Sequence, residues 1–342
     1  DINPATGSLS VSDTLLDLKG ITSKNDLSLS LSYSSFSTNV PSILKLPGGW
    51  SFNVSYVLGN SVSINGSTYL VDYTWTDATG YKSGLRYINN HAVSFKQVLP
   101  DQQLRCKGYN SDERYYRYVY SGDEGMSIYF DANGRQIATS DPYKNCISYH
   151  YYGSGNVFSS YLSKIIDSYG QAFNLSYSNN QVILSGSKGN TISNFYFDKQ
   201  GVTAVSDAMN NRTSYTYNSQ NQIFLIKHPS GLITELTYGT IPSRSSVGSV
   251  LSIPVVSKIL KMSTSGKILS TKQYTYGEVS GANFTGYPYY NQSDDGDSLI
   301  NSLDYKFKYD VNIIKTDGNG KIQTTRTYYN FLHLPVQQEY LF

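Results

Sequence analysis

The chain has 342 residues, enough for two ordinary domains or one elongated array. Only 15 % are charged, well under the roughly 25 % usual in soluble proteins. The formal charge of +2 is too small to point to nucleic acid or an anionic membrane. Tyr, with 33 residues, leads a composition rich in Ser, Asn, Gly and Thr, which favours strands and turns over helices and argues against disorder. No run approaches the ~18 apolar residues of a membrane-spanning helix. Cys106 and Cys146 make no disulfide framework and are expected as free thiols, although their separation permits one bridge. A start at Asp1, without Met or a signal peptide, is the expectation for a fragment or a processed product.

Residues 1–115 read as a strand-rich lead-in. In LSLSLSY, Leu27, Leu29, Leu31 and Tyr33 alternate with serines, the mark of a strand with one wet face. Pro47-Gly48-Gly49 gives a turn, and Trp50, Phe52 and Val54 share the apolar face of the strand that follows. Asn65-Gly66 is a hairpin turn between Val62/Ile64 and Tyr69/Val71. This region is expected to cap the end of what comes next, because a repeat array needs a terminal unit that does not stack on one side.

Residues 116–239 carry a repeat. A β-branched residue is followed two positions on by Asp or His, then by a turn, then by a strand with apolar residues at +8 and +10. Asp207 heads one copy with Val205, Tyr215 and Tyr217; His228 heads the next, 21 residues on, with Ile226, Leu236 and Tyr238. Asp167 heads an earlier copy with Ile165, Leu175 and Tyr177, and Asp141 another with Thr139, Tyr149 and Tyr151. Between them Ser187 heads a degenerate copy with Phe195 and Phe197. Positions +8 and +10 lie on one face of a strand, while Gly and Asn mark the turns. A lone hairpin is marginal in water, so each unit needs its neighbours. The fold class is therefore all-β: a long antiparallel sheet that grows one hairpin at a time.

Residues 240–342 resume the pattern weakly after an interruption. Two prolines and a serine cluster at 240–256 read as a loop or edge crossing, Gly281–Ser298 as an exposed polar insert, and SLINSL near Leu299 as the one short helix. Asp294, Asp295 and Asp297 lack the oxygen spacing of an EF-hand and read as a solvated turn, as does Asp317-Gly318-Asn319-Gly320. His91, His150, His228 and His333 show no metal-ligand spacing. Asp141, Asp167 and Asp207 could stack as a carboxylate ladder for acid–base chemistry or cation binding. Replacement of that Asp by Ser187 and His228 favours turn capping instead. The tyrosine stripes either pack as cross-strand pairs or stack on sugar rings. No catalytic residue, metal or cofactor is assigned.

The strings YFDANGRQIATSDPYKNCISYHYY (Tyr129–Tyr152) and FYFDKQGVTAVSDAMNNRTSYTYN (Phe195–Asn218) resemble RHS/YD repeats. Asp131, Gly134, Arg135, Asp141, Tyr149 and Tyr151 fit that family's pattern in one unit. Asp198, Gly201, Asp207, Tyr215 and Tyr217 fit it in the other, with Val202 where Arg is usual. Asn3–Ser12, Leu27–Ser35, GGWSF near Trp50 and Thr76–Tyr87 also resemble the lead-in of bacterial RHS proteins and of the B component of insecticidal toxin complexes. The resemblance implies a sheet strip that curls into part of a hollow shell enclosing a toxin or effector domain, with that domain or the remaining shell chain as partner. It implies secretion, or display on a bacterial surface through a dedicated secretion system. The family's carboxy-terminal core with self-cleaving aspartates has no counterpart here, so no proteolytic activity carries over. The rival readings are an extracellular module that binds cell-surface glycans through the tyrosines, and a polysaccharide-active enzyme built around carboxylates such as Asp207.

Overall fold

A computed structural model describes residues 1–35, 46–64, 67–76, 82–86, 95–106, 114–156, 159–244, 250–278, 283–284, 292–293, 296–297 and 306–341. The lead-in forms two small antiparallel sheets. Strands β1 (Ser10–Leu18), β2 (Leu27–Ser34) and β3 (Trp50–Phe52) make the first, in that order. Strands β4 (Tyr56–Ile64), β5 (Ser67–Thr76) and β6 (Lys82–Arg86) make the second. Ile64 pairs with Ser67; the expected Asn65-Gly66 turn between them lies outside the described residues.

The main sheet is an unbroken succession of antiparallel neighbours. It begins with β7 (Phe95–Gln103), β8 (Tyr115–Ser121), β9 (Ser127–Phe130), β10 (Gln136–Ser140) and β11 (Cys146–Tyr151). It continues through β12 (Leu162–Ile166), β13 (Ala172–Tyr177), β14 (Gln181–Gly186), β15 (Thr191–Phe197) and β16 (Val202–Asp207). Then come β17 (Arg212–Tyr217), β18 (Ile223–Lys227), β19 (Ile233–Arg244), β20 (Val250–Met262) and β21 (Ile268–Tyr276). The short strands β22 (Gln292–Ser293) and β23 (Gly296–Asp297) pair only with each other, and the sheet closes its run with β24 (Lys308–Asp317), β25 (Ile322–Asn330) and β26 (Pro335–Leu341). The 18 strands form one long antiparallel sheet that is not closed into a barrel.

Two boundaries differ from the sequence reading. The sheet starts at β7, inside the segment expected to be a cap. Apart from 245–249, which lie outside the described residues, the expected interruption at 240–256 is strand: β19 and β20 pair from Ile233–Met262 to Arg244–Val250, with Thr240 opposite Pro254 and Pro242 opposite Ser252. Both prolines are tolerated because they lie where the hairpin overhangs its neighbours. Strand β18 pairs only as far as Glu235, and β21 only from Lys258 onward. A missing N–H then costs no ladder bond on the outer side. Of the expected insert, only Asn283, Phe284 and the residues of β22 and β23 are described; SLINSL, Asp294 and Asp295 lie outside the described residues.

The two cysteines are bonded. Cys106, just beyond β7, and Cys146, at the start of β11, have Cα atoms 5.6 Å apart and form a disulfide across a separation of 40 residues. Sequence spacing concealed this because the intervening strands fold back and bring distant ends together.

The lead-in is a cover laid across a face of the array, not a cap stacked on its end. Leu27, Leu29, Leu31, Trp50 and Phe52 share one buried core with Phe173, Leu175, Phe195, Tyr215 and Leu236. The Phe52 and Phe195 rings meet at 6.0 Å, and those of Trp50 and Tyr215 at 5.0 Å. A sheet with one apolar face must bury it against another layer, and here strands β1 to β3 supply that layer. Their course is long. Gly7 accepts a backbone bond from Val256 at 2.9 Å, while Val57 donates to the Gly134 carbonyl at 2.9 Å.

Candidate functional site: the tyrosine-lined face

The repeated carboxylates are turn caps. In Asp141, Asp167 and Asp207, Oδ1 accepts the N–H groups of the second and fourth residues onward, at 2.8–3.0 Å. The backbone N–H of the third residue closes on the heading carbonyl, and that third residue takes a positive φ: Lys144, Gly170 and Asn210. His228 heads the same backbone turn, with Gly231 at the third position, and its Nε2 sits 3.2 Å from Thr234 Oγ1. The degenerate copy is headed by Gly186 and not by Ser187. Gly189 donates to the Gly186 carbonyl and holds φ at +79°, and an extra residue in β15 absorbs the one-residue slip.

Asp141 is the most enclosed of these carboxylates, 1 % exposed. Burial pushes its pKa up, but hydrogen bonds from Asn145, Thr22 and Tyr143 outweigh this and hold it below the ordinary carboxylate value. Its Oδ2 also receives Nδ2 of Asn25 at 2.9 Å, so the turn anchors the lead-in. These carboxylates are committed to donors of their own turns and, at Asp141, also to Thr22 and Asn25 of the lead-in. Among the described residues no group of three or more His, Cys, Asp or Glu could hold a metal ion.

The tyrosines divide by position. Tyr149 and Tyr215, at +8, are buried packing residues. Burial pushes the Tyr149 phenol up to about 12. The Tyr215 hydroxyl meets the Asp13 carboxylate on β1. Burial raises the pKa of both groups, and Asp13 raises Tyr215 further. His228 lies near them, its pKa lowered by burial and by Lys261.

The +10 tyrosines do something the sequence reading missed. Tyr151, Tyr177, Tyr217 and Tyr238 each donate a hydroxyl to a carbonyl 15 residues upstream, at Gln136, Leu162, Val202 and Ile223, over 2.6–2.8 Å. Tyr276 likewise donates to the Val256 carbonyl, 20 residues upstream, at 2.7 Å. All five acceptors stand at a β-bulge, where one extra residue interrupts the ladder. The tyrosine of the next unit therefore closes a carbonyl beside each of these five breaks. Strand β14 pairs with β13 through Tyr177–Val182 with no register shift, and the following unit carries Phe197, which has no hydroxyl.

Trp50 joins this system. Its indole Nε1 donates to the Tyr217 hydroxyl at 2.7 Å, so one phenol links the lead-in to the bulge at Val202. Tyr149, Tyr215 and Tyr217 are each at most 8 % exposed, which leaves those rings no face for stacking on a sugar.

No family model matches the chain, and no curated protein sequence matches it significantly. Among solved structures it is similar to a porin-like protein from Bacteroides uniformis, at 10 % identity and a TM-score of 0.18, over 66 % of this chain and 58 % of that one. It is also similar to a TcdB2-TccC3-Cdc42 structure, at 10 % identity and a TM-score of 0.22, over 94 % of this chain and 21 % of that one. A TcdB2-TccC3-TEV structure gives 9 % identity and a TM-score of 0.16, over 92 % and 19 %. The chain thus spans about a fifth of the length of the two TcdB2-TccC3 chains, and likeness at these scores carries no argument about what it does.

Proposed function

We propose that this chain is a wall segment of an RHS/YD-type shell whose work is mechanical: to enclose a toxin or effector domain and help deliver it. The observation that carries the reading is the bulge closed by a tyrosine in unit after unit. A bulge bends its strand and increases the local twist. Repetition at the same height makes a sheet that curves steadily, and each stitch fixes that curvature. Carboxylates capped within turns and phenols tied to carbonyls fit a scaffold better than proton transfer. The Cys106–Cys146 bond suits an oxidising environment, such as a bacterial surface or the medium.

The test uses the complete gene product that contains this sequence. The reading expects a hollow particle by electron cryo-microscopy and, on limited proteolysis, an internal domain that survives until the particle is unfolded. A solid or open particle whose every domain is cut at the rate of the denatured chain would defeat it.

A further inference from the structure

We propose that the rim made by two turns, between β20 and β21 and between β24 and β25, docks on an anionic phospholipid surface. Its lysines would meet the headgroups and its apolar tips the interface below them. The two turns adjoin: Ser270 of β21 pairs with Asp317, the last residue of β24. A Cβ on Gly318 would stand 3.2 Å from the Leu269 carbonyl oxygen. Five lysines gather there. Lys272 lies directly opposite Lys315 across the β21–β24 ladder. Lys261 of β20 pairs with Ser270, two residues from Lys272, and so shares their face as a diagonal neighbour. Lys267 and Lys321 close the two turns, each giving its carbonyl to the N–H of the residue that opens the turn, Ser263 or Asp317. Lys261, Lys267, Lys315 and Lys321 are exposed, and Lys272 is half-buried.

Like charges directly opposite on a sheet destabilise it, and among the described residues none of the five lysines makes an ion pair. Asp317 stands in their midst, but its Oδ1 is taken by the N–H groups of Asn319 and Lys321 at 2.9 Å. Asp1 lies beside Lys261 and Lys272, and two carboxylates against five amines leave the rim positive. Desolvation, then the charges of Lys315 and Lys261, hold the Lys272 pKa below its ordinary value, a cost that a bound anion relieves. The small net charge of +2 conceals this patch. A second observation selects the kind of anion. Ile268, Leu269 and Ile322, flanking the same two turns, are 42–65 % exposed. A soluble polyanion would meet the amines and leave these side chains in water. The boundary of an anionic bilayer serves both, because lysines gain from its negative surface potential while apolar groups sink among the headgroups.

The experiment sediments the 342-residue chain with vesicles of phosphatidylcholine and phosphatidylserine, and with vesicles of phosphatidylcholine alone. The chain should bind the anionic vesicles and not the neutral ones, and high salt should weaken the binding. Each of Lys261→Gln, Lys272→Gln and Lys315→Gln should lower the affinity about fivefold, and the triple variant about a hundredfold. Ile268→Ser with Ile322→Ser should lower it about tenfold, with circular dichroism showing every variant folded. Lys308→Gln, at the far end of β24, should change nothing. No binding, equal binding to neutral vesicles, or an unaffected triple variant would overturn the proposal. So would an equal loss from Lys308→Gln, which would mean diffuse attraction. Unchanged affinity in the double isoleucine variant would overturn it too, since the rim would then read charge alone and any soluble polyanion would serve. The proposal is independent of the shell reading, which stands or falls on the enclosed particle.

Discussion

Replacing Tyr217 with Phe removes one oxygen and breaks two hydrogen bonds. The ring fills the same space, so packing is nearly unchanged. What is lost is the donor to the Val202 carbonyl at 2.6 Å and the acceptor of the Trp50 indole N–H at 2.7 Å. Trp50 and Val202 are both 0 % exposed, so water cannot replace the phenol without opening the core. Stranding a buried polar group costs about 1–3 kcal/mol. Two such groups, with modest relaxation, place the loss near 3 kcal/mol. Tyr238→Phe breaks only the bond to Ile223 and should cost about 1 kcal/mol. Urea unfolding followed by far-ultraviolet circular dichroism measures both, with the slope checked for constancy. Phe197→Tyr is the third arm, and should bring no gain because β14 has no bulge carbonyl to receive the new hydroxyl. Equal losses from Tyr217→Phe and Tyr238→Phe, or a clear gain from Phe197→Tyr, would refute the view that these phenols act by closing bulges.

Asp13→Asn should stabilise the chain at pH 7, because the buried carboxylate has a raised pKa and its charged form is disfavoured on docking. That advantage should open as pH rises through the ordinary carboxylate value of about 3.9 and vanish in acid, where the wild-type group is neutral in both states; an advantage independent of pH would contradict this. Reducing Cys106–Cys146 should cost up to about 4 kcal/mol, the closure entropy of a loop spanning its separation of 40 residues. The unreduced denatured chain should take up no alkylating agent, and two alkyl groups would mean the bond does not form. Gly134→Ala should cost more than about 2 kcal/mol, since a left-handed φ of +77° is joined by collision with the Val57 carbonyl. Gly189→Ala, at φ +79° in open space, should cost only about 1 kcal/mol, and thermal unfolding of the pair separates strain from collision.

The array was legible because its signals are local. Tyr215 and Tyr217 are two apart and so share a face; Asp207 heads a turn whose third residue, Asn210, takes a positive φ. The bulges were not legible, because an extra residue such as Thr203 or Phe224 looks like any other strand residue. It shows only in the register of the partner strand. The turn at Gly186 slipped by one for a related reason: Ser187 kept the spacing to Phe195, while the structure places the extra residue in β15. The wet or dry state of the tyrosine stripe depended on Trp50, 167 residues from Tyr217, and no periodicity reports such a contact. The pairing of Cys106 with Cys146 likewise needed strands β7 to β11 to be in place.

The lead-in's position sets an order of events at the ribosome. Strand β2 and Trp50 emerge first, yet their partners Phe195, Tyr215 and Tyr217 are made more than a hundred residues later. At about 5–20 residues per second the gap lasts roughly ten to thirty seconds. Throughout it Leu27, Leu29, Leu31 and Trp50 have no array to rest on. The hairpins behind them can close one at a time from neighbouring sequence, so the lead-in, though made before the array, settles after it. A holding chaperone, or export before collapse, would have its greatest effect on those opening residues.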